Sequence, residues 1–193
     1  MSQAAPPASN TQPKRYYGKY RGLVINNLDP MLQGRIMAQV PDVLGEIPSS
    51  WALPCVAAAG IQAGMFIVPP VGSQVWIEFE QGDPDYPIWT GGFWGSAAEV
   101  PIYANAPPPA VPPLLGQNIV LMTTGKSSIS VSDAAPTPAT GGVVLMSPAG
   151  PAGPMLVVNE TGVYITAGPG LATIWLVGPM VSINQTALTI VGP

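Results

Sequence analysis

Glu78, Glu80, Asp83 and Asp85 lie close together in the chain. Carboxylates grouped this way are the residue types that cleave glycosidic bonds by acid–base catalysis, or that hold calcium through oxygen ligands. No further oxygen ligands follow at calcium-loop spacing. Alternation along Gln74–Glu80 instead places Glu78 and Glu80 on the solvent face of a strand, with Asp83 and Asp85 at a hairpin tip. Trp76, Trp89 and Trp94 could form a stacking platform for sugars or bases, or could close a barrel end or a subunit contact. The sequence has no His and one Cys, which excludes Cys/His zinc sites, Ser-His-Asp and Cys-His catalysis and any intrachain disulfide. Cys55, in an apolar run, is expected to be a small buried core residue. No P-loop, nucleophile elbow or dinucleotide fingerprint is present. No cofactor or metal is implied, and no catalytic residue is assigned.

The elements that position these residues must be short. The 193 residues include 22 Gly and 25 Pro, yet 47% are hydrophobic and only 8% charged. Disordered chains are polar or highly charged, so a mean hydropathy of +0.33 excludes that class. Apolar runs broken at short intervals by turn residues predict an all-β protein. The net charge is -4, and four of the six cations cluster at Lys14, Arg15, Lys19 and Arg21, too small a basic patch for nucleic-acid binding. Met1–Arg15 places its basic pair last, the reverse of a secretory signal, and reads as a flexible arm. The uncharged stretch from Thr161 to Pro193 is long enough to span a bilayer, but Gly168-Pro169-Gly170, Gly178-Pro179 and its alternating polar residues exclude a transmembrane helix.

Between Tyr16 and Gly95 five strands are expected, at Tyr20–Asn26, Gly34–Val40, Trp51–Ala57, Gln74–Glu80 and Tyr86–Trp94. In the fourth, Val75, Ile77 and Phe79 face the core. Asp29-Pro30 with Gly34, and Gly82-Asp83-Pro84-Asp85, supply turns, and a long third connection runs through Gly60 and Gly64. This pattern fits a small five-stranded OB barrel. The run from Phe66 to Trp94 resembles the phage baseplate assembly protein V and VgrG spike family. There a Pro-x-x-Gly-x-x-Val strand leads into a Gly-Asp-Pro-x-x-Pro hairpin and then a Gly-rich corner, here Pro69, Gly72, Val75, Gly82, Asp83, Pro84, Pro87 and Gly91. Gly34-Arg35 followed by alternating apolar residues resembles the family's second strand. The resemblance covers about residues 16–95 and implies an OB fold that trimerises at the centre of a contractile tail's baseplate. The same motif residues are also plain folding instructions, supplying sharp turns and a preordered edge.

Residues 96–118 carry Pro107-Pro-Pro-Ala-Val-Pro-Pro113 and read as a stiff extended linker. From Asn118 onward only Lys126, Asp133 and Glu160 are charged, and eight short β runs follow from Ile119 to Val191. Ile119-Val-Leu-Met and Val143-Val-Leu-Met form a weak repeat 24 residues apart. Pro148-Ala-Gly-Pro-Ala-Gly-Pro154 is too short for a collagen helix and reads as a loop. Such runs folded in one chain would leave an apolar sheet uncovered. Three copies around a threefold axis would bury it, with inward Val, Ile, Leu and Met, so residues 119–193 are expected to form an intertwined trimeric β-helix or β-prism needle. The needle resembles the C-terminal part of the same spike family in type, although the family's eight-residue Val-x-Gly repeat is not evident.

The expectation is therefore a non-enzymatic central spike of a phage or phage-derived contractile injection particle. Its parts are an arm (1–15), an OB domain (16–95), a linker (96–118) and a spike (119–193). The implied partners are two further copies of the chain, a tail hub protein at the OB fold, the target cell envelope, and a PAAR-type tip protein docking at Leu188, Ile190, Val191, Gly192 and Pro193. The alternatives are a small envelope-degrading glycosidase acting through Glu78 and Asp83, and a sugar- or nucleic-acid-binding OB module on a β-stalk.

Overall fold

A computed structural model describes residues 14–104, 118–132, 142–184 and 187–191. The chain divides into two compact units, Met1–Ala97 and Ala98–Pro193.

The first unit contains β1 (Tyr20–Asn26), β2 (Met37–Gln39), a helical turn at Pro41–Leu44, β3 (Leu53–Pro54), a two-residue hairpin of β4 (Ala59–Gly60) and β5 (Ala63–Gly64), β6 (Gln74–Phe79) and β7 (Pro87–Phe93). Five strands form one sheet in the order β2-β1-β6-β7-β3, antiparallel except for the β3–β7 pair. The sheet curls until its two edges meet at an antiparallel bridge between Ile36 and Ala52, with a second bridge from Gln39 of β2 to Pro48. At the first bridge Ile36 N–H donates to Ala52 O at 3.2 Å and Ala52 N–H returns to Ile36 O at 2.7 Å. Closure makes this the expected five-stranded OB barrel. Its interior holds Val24, Ile36, Ala38, Val40, Ala52, Val75, Ile77, Phe79 and Trp89. The period of two along β6 is complete, with Val75, Ile77 and Phe79 buried and the alternate residues half-exposed. Each large side chain removed from water contributes about 1.5–3 kcal/mol, and one copy of the chain supplies this whole core.

Three expectations are corrected here. Cys55 is exposed, because alternation along the β3 edge turns Ala52 and Val56 to the core and Leu53 and Cys55 outward. Glu80 is not on the strand face with Glu78. Strand β6 ends at Phe79, and Glu80–Gly82 form a tight 3-10 turn with Gln81 and Gly82 both at positive φ. Lys14 and Arg15, assigned to the arm, are ordered: Tyr16 N–H donates to Gly82 O at 2.8 Å, and Arg15 reaches Asp83 at 2.9 Å. The rest of the arm, residues 1–13, lies outside the described residues, as does Asp133.

The second unit contains β8 (Asn118–Met122), β9 (Ser128–Ser132), β10 (Gly142–Met146), β11 (Met155–Asn159), β12 (Gly162–Thr166), β13 (Thr173–Val177), β14 (Met180–Ile183) and β15 (Leu188–Val191). They form one eight-stranded antiparallel meander in strict sequence order. Pro148–Pro154 is a loop with a 3-10 turn at Gly150–Ala152, as expected. The near-copies Ile119–Met122 and Val143–Met146 are β8 and β10, two strands that share a neighbour.

Candidate assembly surfaces

In the second unit the register lines residues of one kind up across all eight strands. Ile119 faces Val131, which faces Val143, and the row runs on through Val158, Val163, Leu176 and Val181 to Ile190. Two residues along each strand, a second row begins at Leu121 and Ile129. It continues through Leu145, Leu156, Ile165, Ile174 and Ile183 to Leu188. Every position in both rows is Val, Ile or Leu. Alternation puts the rows on one face of the sheet. That face is open in the single chain, and most of its members are exposed, from 36% at Ile183 to 67% at Ile119.

The opposite face has the reverse chemistry. Ser128, Ser130, Ser132, Thr173 and Ser182 are buried there, beside Val144, Met146 and Val157, on which Tyr103 packs. The hydroxyls of Ser128 and Ser130 are buried without a hydrogen-bond partner among the described residues. Met122, Met146, Met155 and Met180 also belong to this face, so the expected inward methionines are absent from the aliphatic rows. A bare apolar strip crossing eight strands, roughly 35 Å at the usual strand spacing, far exceeds what a solitary soluble chain exposes.

Among the described residues the outermost strand on one side is β15, which pairs with β14. Leu188 and Ile190, two of the five residues expected at the docking end, are exposed on it. Val191 is in the strand, while Gly192 and Pro193 lie outside the described residues.

The first unit presents different chemistry. The β1–β2 loop exposes Leu28, Met31 and Leu32, and the segment before β6 exposes Phe66 and Ile67. Asn27 Nδ2 ties the two by donating to Pro69 O at 3.1 Å. A groove of about 400 Å3 lies alongside, lined in part by Gly34, Val56, Phe66 and Trp89. Gly34 has φ +76° and the Phe66 ring against it, so that an added Cβ would sit 3.2 Å from the ring. Trp89 is a core residue whose Nε1 donates to Gly34 O at 3.1 Å. Trp76 stacks on Phe93 with ring centroids 4.6 Å apart, and Trp94 is exposed. The three tryptophans therefore form no common platform.

The carboxylates do not converge either. Glu78 accepts from Lys19 Nζ at 2.8 Å, and the same Nζ donates to Thr90. Asp83 accepts from Arg15 and from the Asp85 amide. Among the described residues no three His, Cys, Asp or Glu side chains come together as a metal group. The remaining motif residues are structural in placement. Gly72 N–H donates to Val24 O, and Gly82 is buried at φ +77°, where a Cβ would meet the Tyr16 backbone at 3.0 Å. Pro84 sits in the turn, Pro87 opens β7 and Gly91 lies within it.

Arg35 pairs with a residue that sequence reasoning treated only as part of a turn. Asp29 is buried and accepts from Arg35 Nε at 3.0 Å and Nη2 at 2.7 Å, and from the amides of Met31, Gln33 and Arg35. The Arg35 guanidinium holds the Asp29 carboxyl far below the usual carboxylate range; burial opposes this and the three amides reinforce it. Arg35 also lies over the Trp51 ring, 5.5 Å from its centroid. The signal in the sequence was the Asp29-Pro30 turn, with Asp29 six residues before Arg35.

Both units match family models. Residues 20–94 match the type VI secretion system and phage-baseplate injector OB domain. Residues 118–189 match the phage baseplate V C-terminal trimerisation domain. The chain belongs to the phage baseplate V family. No curated protein matches it. The trimerisation match ends at residue 189, inside β15, and so takes in nearly all of both aliphatic rows. The second unit is thus a trimerisation domain, and the chain is a structural baseplate component that assembles as a homotrimer. Among the described residues no helix is long and apolar enough to cross a membrane.

Proposed function

We propose that the protein is the central spike of a contractile tail or a related injection particle, docking on a tail hub and piercing the target envelope when the sheath contracts. The observation that carries this reading is the pair of uninterrupted aliphatic rows on one face of an otherwise hydroxyl-bearing sheet. Three such sheets, each forming one wall of a prism, bring the rows to a shared axis and close without a propagating edge. A dry axis of tens of large aliphatic side chains at about 1.5–3 kcal/mol each resists bending, the property that force transmission demands. The exposed Leu28, Met31, Leu32 and Phe66 patch on the OB unit is the surface offered to the hub. The free edge of β15, repeated three times, is the seat for a tip protein of the PAAR kind, whose strands could extend the sheets by edge pairing. The linker and spike boundaries at residues 95 and 118 are part of this proposal.

The glycosidase alternative finds no support in the site, because Glu78 and Asp83 are each held by a different cation, Lys19 and Arg15. The test is particle assembly with Leu145→Asp in the aliphatic row. Such particles should lack the spike and lose envelope permeabilisation, while sheath contraction in vitro persists. Normal permeabilisation by particles carrying the variant would refute the proposal.

A further inference from the structure

The face opposite the aliphatic rows holds a hollow of about 510 Å3, within the usual size range of ligand sites. Met155 and Val157 of β11, Tyr164 of β12 and Trp175 of β13 contribute to it, with Pro151 and Pro169 from the neighbouring turns at its border. All four strand residues have the parity opposite to the rows. If three sheets close through their aliphatic faces, the hollow therefore stays open to the outside; in this respect the inference rests on the trimeric reading.

The lining chemistry narrows the occupant. No charged side chain borders the hollow, which favours a neutral ligand. The Tyr164 and Trp175 rings meet edge to face, with centroids 6.1 Å apart, and offer apolar surface to flat C–H faces. Beside them runs a polar relay: Tyr164 Oη and Thr161 Oγ1 are 2.7 Å apart, and Thr161 Oγ1 donates to Asn159 Oδ1 at 2.7 Å. Thr173, also in the lining, buries a hydroxyl that has no hydrogen-bond partner among the described residues, an arrangement that costs free energy as it stands. A ligand with apolar ring faces and a rim of hydroxyls matches both halves of this surface. We propose that the hollow binds a neutral pyranose unit of an oligosaccharide.

The test titrates the full-length protein with chitotriose and with maltotriose, read by tryptophan fluorescence and by saturation-transfer NMR. Trp175 is the one tryptophan of the second unit, and comparison with the Trp175→Ala variant isolates its response from those of Trp51, Trp76, Trp89 and Trp94. Saturable quenching by at least one sugar is expected. Trp175→Ala should weaken binding about tenfold, as loss of an aromatic contact does. Thr161→Val, which leaves the aromatic pair in place, should weaken it severalfold, and Trp94→Ala in the first unit should change nothing. No saturable response to either sugar overturns the proposal, as does a response that survives both Trp175→Ala and Thr161→Val. Light scattering on the same samples keeps the two readings apart. A trimer that ignores sugars sinks the hollow alone, whereas a monomer that binds them supports the hollow and sinks the trimer.

Discussion

The two units solve the burial problem in opposite ways. In the OB unit, sequence alternation and barrel closure agree: the apolar parity of β6 points inward, and one chain covers it completely. In the second unit alternation is just as regular, yet the parity richer in aliphatics is the open one and the covered parity carries serine and threonine. The difference teaches that the apolar face of a sheet need not be the face the same chain covers. Where the two disagree, the missing cover is another molecule.

The sharpest way to break the comparison is to charge the open rows. Ile165→Asp or Leu145→Asp should reduce the solution mass from about 60 kDa, three copies of the 19.9 kDa chain, to a single copy. A trimer that persisted by light scattering would show that the rows are not the seam. Calorimetry of the unaltered protein over a wide concentration range should give two transitions, with only that of the second unit moving upward as concentration rises. Next in size, Ile77→Ala in the barrel should cost about 2–5 kcal/mol through loss of buried methyl groups and the cavity left behind. Denaturant melts should show the loss confined to the first unit.

Acid should also separate the units. The folded-state pKa of Asp29 is depressed, so its contribution is fully present above the unfolded carboxylate value of about 3.9 and is lost as pH falls below it. The first unit should therefore lose stability progressively below about pH 4, and Asp29→Asn should flatten that dependence while lowering stability at neutral pH. The spike segment, with only Lys126, Asp133 and Glu160 charged, should respond much less. Melts recorded at stepped pH check both. The smallest effect belongs to Lys19→Met, which removes an exposed ion pair with Glu78 and should change stability by less than about 1 kcal/mol.

The strand positions were legible because period two and turn residues are local properties. Tyr20–Asn26 matches the observed strand end to end, and the eight runs expected between Ile119 and Val191 are the eight strands of the second unit. Register was less legible. That Ile119 would meet Val131 and Val143 depends on where each turn places its strands, and Gly and Pro mark a turn without stating how it pairs its flanks. The fate of the methionines was lost for the same reason. Cys55 was misjudged because residue type spoke for burial while its position at a sheet edge, one residue before the core-facing Val56, spoke against it. The Asp29–Arg35 contact joins residues six apart through a loop of irregular backbone, which no periodicity describes.

The meander of the second unit also behaves as a ruler. In a strict up-and-down order each added hairpin extends the stack by two rungs, about 9.6 Å, and leaves every existing pairing untouched. Strands β8 and β10, near-copies one hairpin apart, show what such an increment looks like in sequence. Reach can therefore be altered in discrete steps by duplicating or deleting one hairpin, with no need to redesign the fold that carries it.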